Sequence, residues 1–157
     1  MMPKKEEEFS FKESNDKIGE IIACSIYIED LISEVITNYF NPQKKEEFQH
    51  ILMNSSVVSY GQKLKILSNI ENFDSKIINK LRTIGSLRNS VAHNNLILKF
   101  DSTSSFSTIS ELHNNITLSV MNSSGKLVDK NLKDIFEEFN TLCKEICYYF
   151  QEEFDLF

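Results

Sequence analysis

From Ile18 onward the residues Ile21, Ile22, Ile28, Leu31, Ile32, Val35, Ile36 and Tyr39 recur at the three- and four-residue spacing of one helix face, and Asn41-Pro42 ends the run. This pattern predicts a long core helix from about Asn15. Glu29 breaks it, falling between Ile22 and Ile36 in the middle of the apolar arc. A carboxylate there requires a partner: either it reaches an edge or a water, or it pairs with Arg88 further along the chain. Residues 44–53 read as a shorter amphipathic helix through Phe48, Ile51 and Leu52, closed by the breakers Asn54-Ser55-Ser56. Tyr60, Leu64 and Leu67 then suit one helical face, with Lys63 and Lys65 as solvated positions. Asp74 suits the N-cap of the next helix, whose run Ile77, Ile78, Leu81, Ile84 ends near Asn94-Asn95.

Beyond that helix the period changes. Leu96, Leu98 and Phe100 alternate with Ile97 and Lys99, a Ser/Thr-rich loop spans 101–107, Ile116, Leu118 and Val120 alternate again, and Asn122-Ser-Ser-Gly125 turns into Lys126-Leu-Val128. Asp129 is placed to cap a last helix carrying Leu132, Ile135, Phe136, Phe139, Leu142, Cys143, Ile146, Tyr149 and Phe150. The prediction is a mainly α fold, a helical bundle with a small antiparallel β insertion over 96–128 between the last two helices. Residues 1–14 read as a solvated arm with some helical content, and 15–157 as one domain.

The chain has 157 residues, enough for one well-cored domain, and no apolar run approaches the roughly 18 residues of a membrane span. Met1–Glu8 is charged where a signal peptide would need an apolar core, so a cytoplasmic setting is expected. A net charge of −6 argues against a protein held on nucleic acid by a broad basic surface, so any such contact must be local. Cys24, Cys143 and Cys147 are odd in number and lie in helical patterns, which fits reduced, buried thiols better than a disulfide framework. Cys143 and Cys147 share a helix face, but no further ligand stands near them in sequence. His50 and His113 are isolated, so neither a metal nor a cofactor is expected.

The chemistry concentrates in Leu81-Arg-Thr-Ile-Gly-Ser-Leu-Arg-Asn-Ser-Val-Ala-His93. On a helical wheel Ile77, Ile84, Leu87 and Val91 share one arc, with Leu81 at its edge, and Arg82, Asn89 and His93 share another. Arg88 lies just inside the apolar edge. Gly85 and Ala92 floor the sector between Arg88 and His93, which suggests close approach of a second helix there. Asn89 and His93, one turn apart, can face a common ligand. A structural explanation stands beside this one: Arg88 pairs with a carboxylate, Asn89 bonds backbone and His93 ends the helix.

Arg88-Asn89-Ser90-Val91-Ala92-His93 resembles the motif of the HEPN superfamily, an arginine followed after four to six residues by a histidine, with a polar residue directly after the arginine. The run Tyr60-Gly-Gln-Lys-Leu-Lys-Ile-Leu67 together with Leu87–His93 is similar to the group that includes mannitol-operon-repressor-like proteins. The resemblance covers roughly Ile18 to His93 and the final helix; residues 96–128 are an insertion relative to the minimal bundle. It implies a metal-independent, cofactor-free endoribonuclease of the toxin–antitoxin or phage-defence kind, with its active site formed across a homodimer. His93 would be general base or acid, Arg88 would stabilise charge on the phosphorane, Asn89 would orient the phosphate and Arg82 would add a phosphate contact. Gly85 and Ala92 would lie at the dimer contact, and Glu29 would support Arg88. The superfamily also includes proteins that keep the bundle only for binding, so the alternative is a non-catalytic regulator or scaffold for an antitoxin, another regulatory protein or a nucleotide.

Overall fold

The apolar repeat that starts at Ile18 forms a single long helix in the computed structural model, which describes residues 4–93, 96–98, 116–121 and 124–156, and side chains for 12–93, 116–121 and 124–156. This helix, α1 (Lys4–Phe40), begins well before Asn15, so most of the expected arm is helical, and Ser14 is already buried. Its inner face is Ile21, Ile28, Leu31, Ile32, Val35 and Ile36. Tyr39, expected on that face, is half exposed and meets Phe40 edge-to-face instead. Two buried hydroxyls on α1 are satisfied by the helix itself: Ser33 donates to the Glu29 carbonyl at 2.9 Å and Thr37 to the Ser33 carbonyl at 2.7 Å. The helix stops where Asn41 enters the left-handed region, φ 44°, and closes the last turn on the Thr37 carbonyl at 2.9 Å.

After α1 come α2 (Lys45–Glu47), which continues as a π-helical turn over Phe48–Leu52, then α3 (Tyr60–Leu67) and α4 (Ser75–His93). Strands β1 (Leu96–Leu98), β2 (Ile116–Met121) and β3 (Leu127–Asn131) follow, and α5 (Leu132–Phe154) ends the described chain. The protein is thus mainly helical, with a small antiparallel sheet between its last two long helices, as the pattern predicts. The 44–53 segment differs from its expectation. Met53 N–H bonds the Phe48 carbonyl at 3.1 Å, five residues back, and this wider turn leaves Ile51 and Leu52 exposed while Met53 is buried.

Two compact units divide the residues, Met1–Ala23 with Leu87–Asn140 and Cys24–Ser86 with Thr141–Phe157, and the divisions fall inside α1, α4 and α5 rather than at linkers. In the first unit the strand order is β1-β2-β3, both pairs antiparallel, with Leu96 opposite Leu118 and Ser119 opposite Asp129. Alternation holds on β2: Ile116 and Leu118 are buried with Ile21, Leu87, Val91, Leu132, Ile135 and Phe139. Asp129 does not cap α5. It lies in β3 and accepts a hydrogen bond from Ser119 Oγ at 2.7 Å, while Asn131 caps the helix by accepting from Lys133 N–H at 2.8 Å. Strand pairing continues to Asn131, so the side chain that caps the helix stands two residues later than the pattern suggests. Gly125, at φ 77°, makes the turn into β3. Asn94-Asn95, the 99–107 segment, His113 and Asn122-Ser123 lie outside the described residues.

In the second unit Leu64, Leu67, Ile77, Ile78, Leu81, Ile84 and Ile146 fill the core alongside the later half of α1. Phe73 is stacked on Phe154 at 5.9 Å and meets Tyr149 edge-on at 5.7 Å. No helix of the described residues is long and apolar enough to cross a membrane.

Candidate functional site

The helix that bears the motif is set at its start by Asp74, whose carboxylate accepts the Lys76 N–H at 2.8 Å while its carbonyl receives the Ile77 and Ile78 N–H groups. The Tyr149 hydroxyl accepts the Asp74 N–H at 3.4 Å, and Lys80 pairs with Glu145 at 2.9 Å. Burial pushes the Tyr149 phenol up, keeping it neutral. Three contacts therefore hold the first turns of α4 within the second unit.

Gly85 has its reason in the same unit. It is buried against Tyr60 of α3, and an added Cβ would lie 2.8 Å from the Tyr60 ring. That ring cannot easily retreat, because its hydroxyl donates to the Leu81 carbonyl at 2.7 Å. The close approach that Gly85 permits is that of its own chain. Of the two residues expected at a dimer contact, Gly85 is thus buried within its own chain and Ala92 is exposed.

Over the last turns of α4, in the first unit, the two arcs expected from the sequence separate cleanly. Leu87, Ser90 and Val91 are buried, Arg88 is half-buried, and Asn89, Ala92 and His93 face solvent. The buried positions fix the rotation of the helix about its axis, so the imidazole and the amide one turn before it are presented outward together. Arg82 belongs to the second unit, where it is exposed and its guanidinium donates to Asn79 Oδ1 at 3.2 Å. A guanidinium, an amide and an imidazole of this kind can orient a phosphodiester, neutralise charge on it and move a proton.

The sequence reading missed a second polar constellation. Lys63, expected in solvent, is 2% exposed, and its ammonium donates to Glu29 Oε1 at 2.8 Å. Ser55 donates to the same oxygen at 2.5 Å. The half-buried carboxylate of α1 thus has a cation within its own unit, and Arg88, the partner suggested from sequence, lies in the other one. The signal was present: Lys63 stands three residues after Tyr60 and four before Leu67, on the apolar stripe of α3, as Glu29 stands on that of α1. Beside the pair a cavity of about 450 Å³ is lined by Asp30, Gln49, His50, Asn54, Ser55 and Lys63.

The three cysteines also differ from expectation. They are free, but each is half-exposed rather than buried. No group of three or more His, Cys, Asp or Glu among the described residues is arranged to hold a metal ion. Compared with protein-family models, curated proteins and solved structures, the chain has no match.

Proposed function

We propose that this protein is a metal-independent endoribonuclease of the HEPN type, active as a homodimer in which two copies of α4 line one cleft. The observation that carries the reading is the outward presentation of Asn89 and His93 over a buried Leu87-Ser90-Val91 base, with Arg88 half-buried beside them. In this scheme His93 takes the proton of a ribose 2′-hydroxyl or returns one to the leaving 5′-oxygen. Arg88 stabilises the charge that develops on the phosphorane, Asn89 holds a non-bridging oxygen and Arg82 contacts a neighbouring phosphate. Attack by the 2′-oxygen leaves a cyclic phosphate on one product. No step draws on a metal or a cofactor.

The test is cleavage of single-stranded RNA by the purified protein in the presence of chelator. His93→Ala should abolish it with fold and dimer retained, because His93 is exposed and its loss opens no core. Arg88→Ala should abolish it too, and with Lys63 still paired to Glu29 the substitution does not leave that carboxylate without a cation. Deoxyribose at the cut position should block the reaction. Undiminished cleavage by His93→Ala would overturn the assignment. RNA left intact by the wild-type dimer, with Arg88→Ala weakening capture of a protein or nucleotide partner, would point instead to a non-catalytic scaffold.

A further inference from the structure

The cavity of about 450 Å³ beside Lys63 lies wholly within the second unit, and the proposed ribonuclease chemistry does not use it. Its size falls in the roughly 300–1,000 Å³ range of small-molecule sites. Its walls come from α1, from the π-helical turn and the residues just after it, and from α3. Gln49 and His50 belong to that turn, Phe48–Leu52, and π-helical turns are rare and frequently stand at functional sites.

The polar groups on the wall have bonding capacity to spare. The Lys63 ammonium, 2% exposed, carries three N–H donors. Among the described residues it donates to Glu29 Oε1 at 2.8 Å and to Ser55 Oγ at 3.5 Å, which leaves the third N–H for an acceptor in the cavity that Lys63 lines. Asn54 Oδ1 already accepts the Ser56 N–H at 3.0 Å and the Ser56 hydroxyl at 2.6 Å, so the side chain has its NH2 group to offer. Gln49 offers a donor and an acceptor together.

Charge selects between ligand classes. Glu29 neutralises Lys63, and the exposed Asp30, next along α1, adds a carboxylate whose charge is met by no ion pair or hydrogen bond among the described residues. A phosphate or carboxylate entering here would meet a lysine already paired and a second negative charge. A cation that carries acceptors meets neither obstacle. We propose that this cavity binds a small hydroxylated amine in its protonated form. The ammonium sits on Asp30, hydroxyl oxygens accept from Lys63 and Asn54, and a hydroxyl proton is given to Gln49. Lys63 is desolvated and held by Glu29 before the ligand arrives, so its donor needs little further ordering.

The experiment titrates the full chain by calorimetry with glucosamine, at a pH that keeps its amine protonated, and in parallel with glucose, cyclohexylamine and inorganic phosphate. Glucosamine should bind once per chain with a Kd in the millimolar range or below. Glucose has the hydroxyls without the charge and cyclohexylamine the charge without the hydroxyls, so each should bind about tenfold more weakly. Asp30→Asn should weaken glucosamine about tenfold, toward the affinity of glucose, with an unchanged melting temperature because Asp30 is exposed. Amide chemical-shift changes on binding should centre on Asp30, Gln49 and Asn54. No heat with glucosamine, equal affinity in Asp30→Asn and wild type, shifts centred elsewhere, or a preference for phosphate would overturn the proposal. RNA cleavage is not the readout, so this result is independent of the ribonuclease reading.

Discussion

Lys63 and Glu29 show how a side chain can be misplaced when it is read alone. A lysine is among the residues least often buried, and burial is tolerable here because its ammonium donates to the carboxylate and, at 3.5 Å, to the Ser55 hydroxyl. Removing one partner strands the other charge. Lys63→Met should therefore destabilise the protein by about 3–5 kcal/mol. Lys63→Met combined with Glu29→Met should recover most of that loss, because two apolar side chains of similar length need no counter-charge. Urea unfolding of the two variants checks this, and a double variant no more stable than the single one would show that the pair contributes through shape rather than charge balance.

The starts of α4 and α5 are each set by a single acceptor. Asp74 begins α4 and Asn131 begins α5, each receiving an N–H two residues on at 2.8 Å. Replacing either with Ala should cost about 1 kcal/mol, the usual worth of such a cap. Asp129→Ala should cost less than Asn131→Ala, since the Asp129 bond with Ser119 is exposed and caps no helix. Thermal melts of the three variants give the ranking, and a larger loss for Asp129→Ala would return the cap to Asp129. The cap on α4 matters beyond stability, because the helix it starts ends in Arg88, Asn89 and His93.

Assembly is the property of the whole molecule on which the proposed activity depends. An active dimer predicts twice the 18.2 kDa chain mass in sedimentation velocity. Ala92→Glu, on the exposed face of α4, should yield monomer with an unchanged melting temperature and no cleavage. Gly85→Leu should behave differently. With Tyr60 seated on Gly85, the larger side chain overfills the interior of one chain and should lower stability by about 1–3 kcal/mol whatever the oligomeric state. A wild-type monomer at high concentration would remove the shared cleft. The net charge of −6 fits this picture only if RNA contact is confined to a few side chains such as Arg82 and Arg88.

Period and punctuation in the sequence were enough to determine the elements: the apolar run of α1 and its stop at Asn41-Pro42, the Asp74 start of α4, the change to alternation at Leu96, and the long amphipathic α5. They also sorted α4 into a buried arc and an exposed one bearing Asn89 and His93. These follow from local geometry, because a helix imposes its repeat on whichever side chains it carries. Pairings between distant residues were decided in three dimensions. Lys63 finding Glu29 across 34 residues and Tyr60 covering Gly85 both depend on which faces come together, and each residue type alone favoured another environment. The π-helical turn at Phe48–Leu52 belongs with them, since one extra residue in a turn redirects side chains that an α-helical wheel assigns to the core.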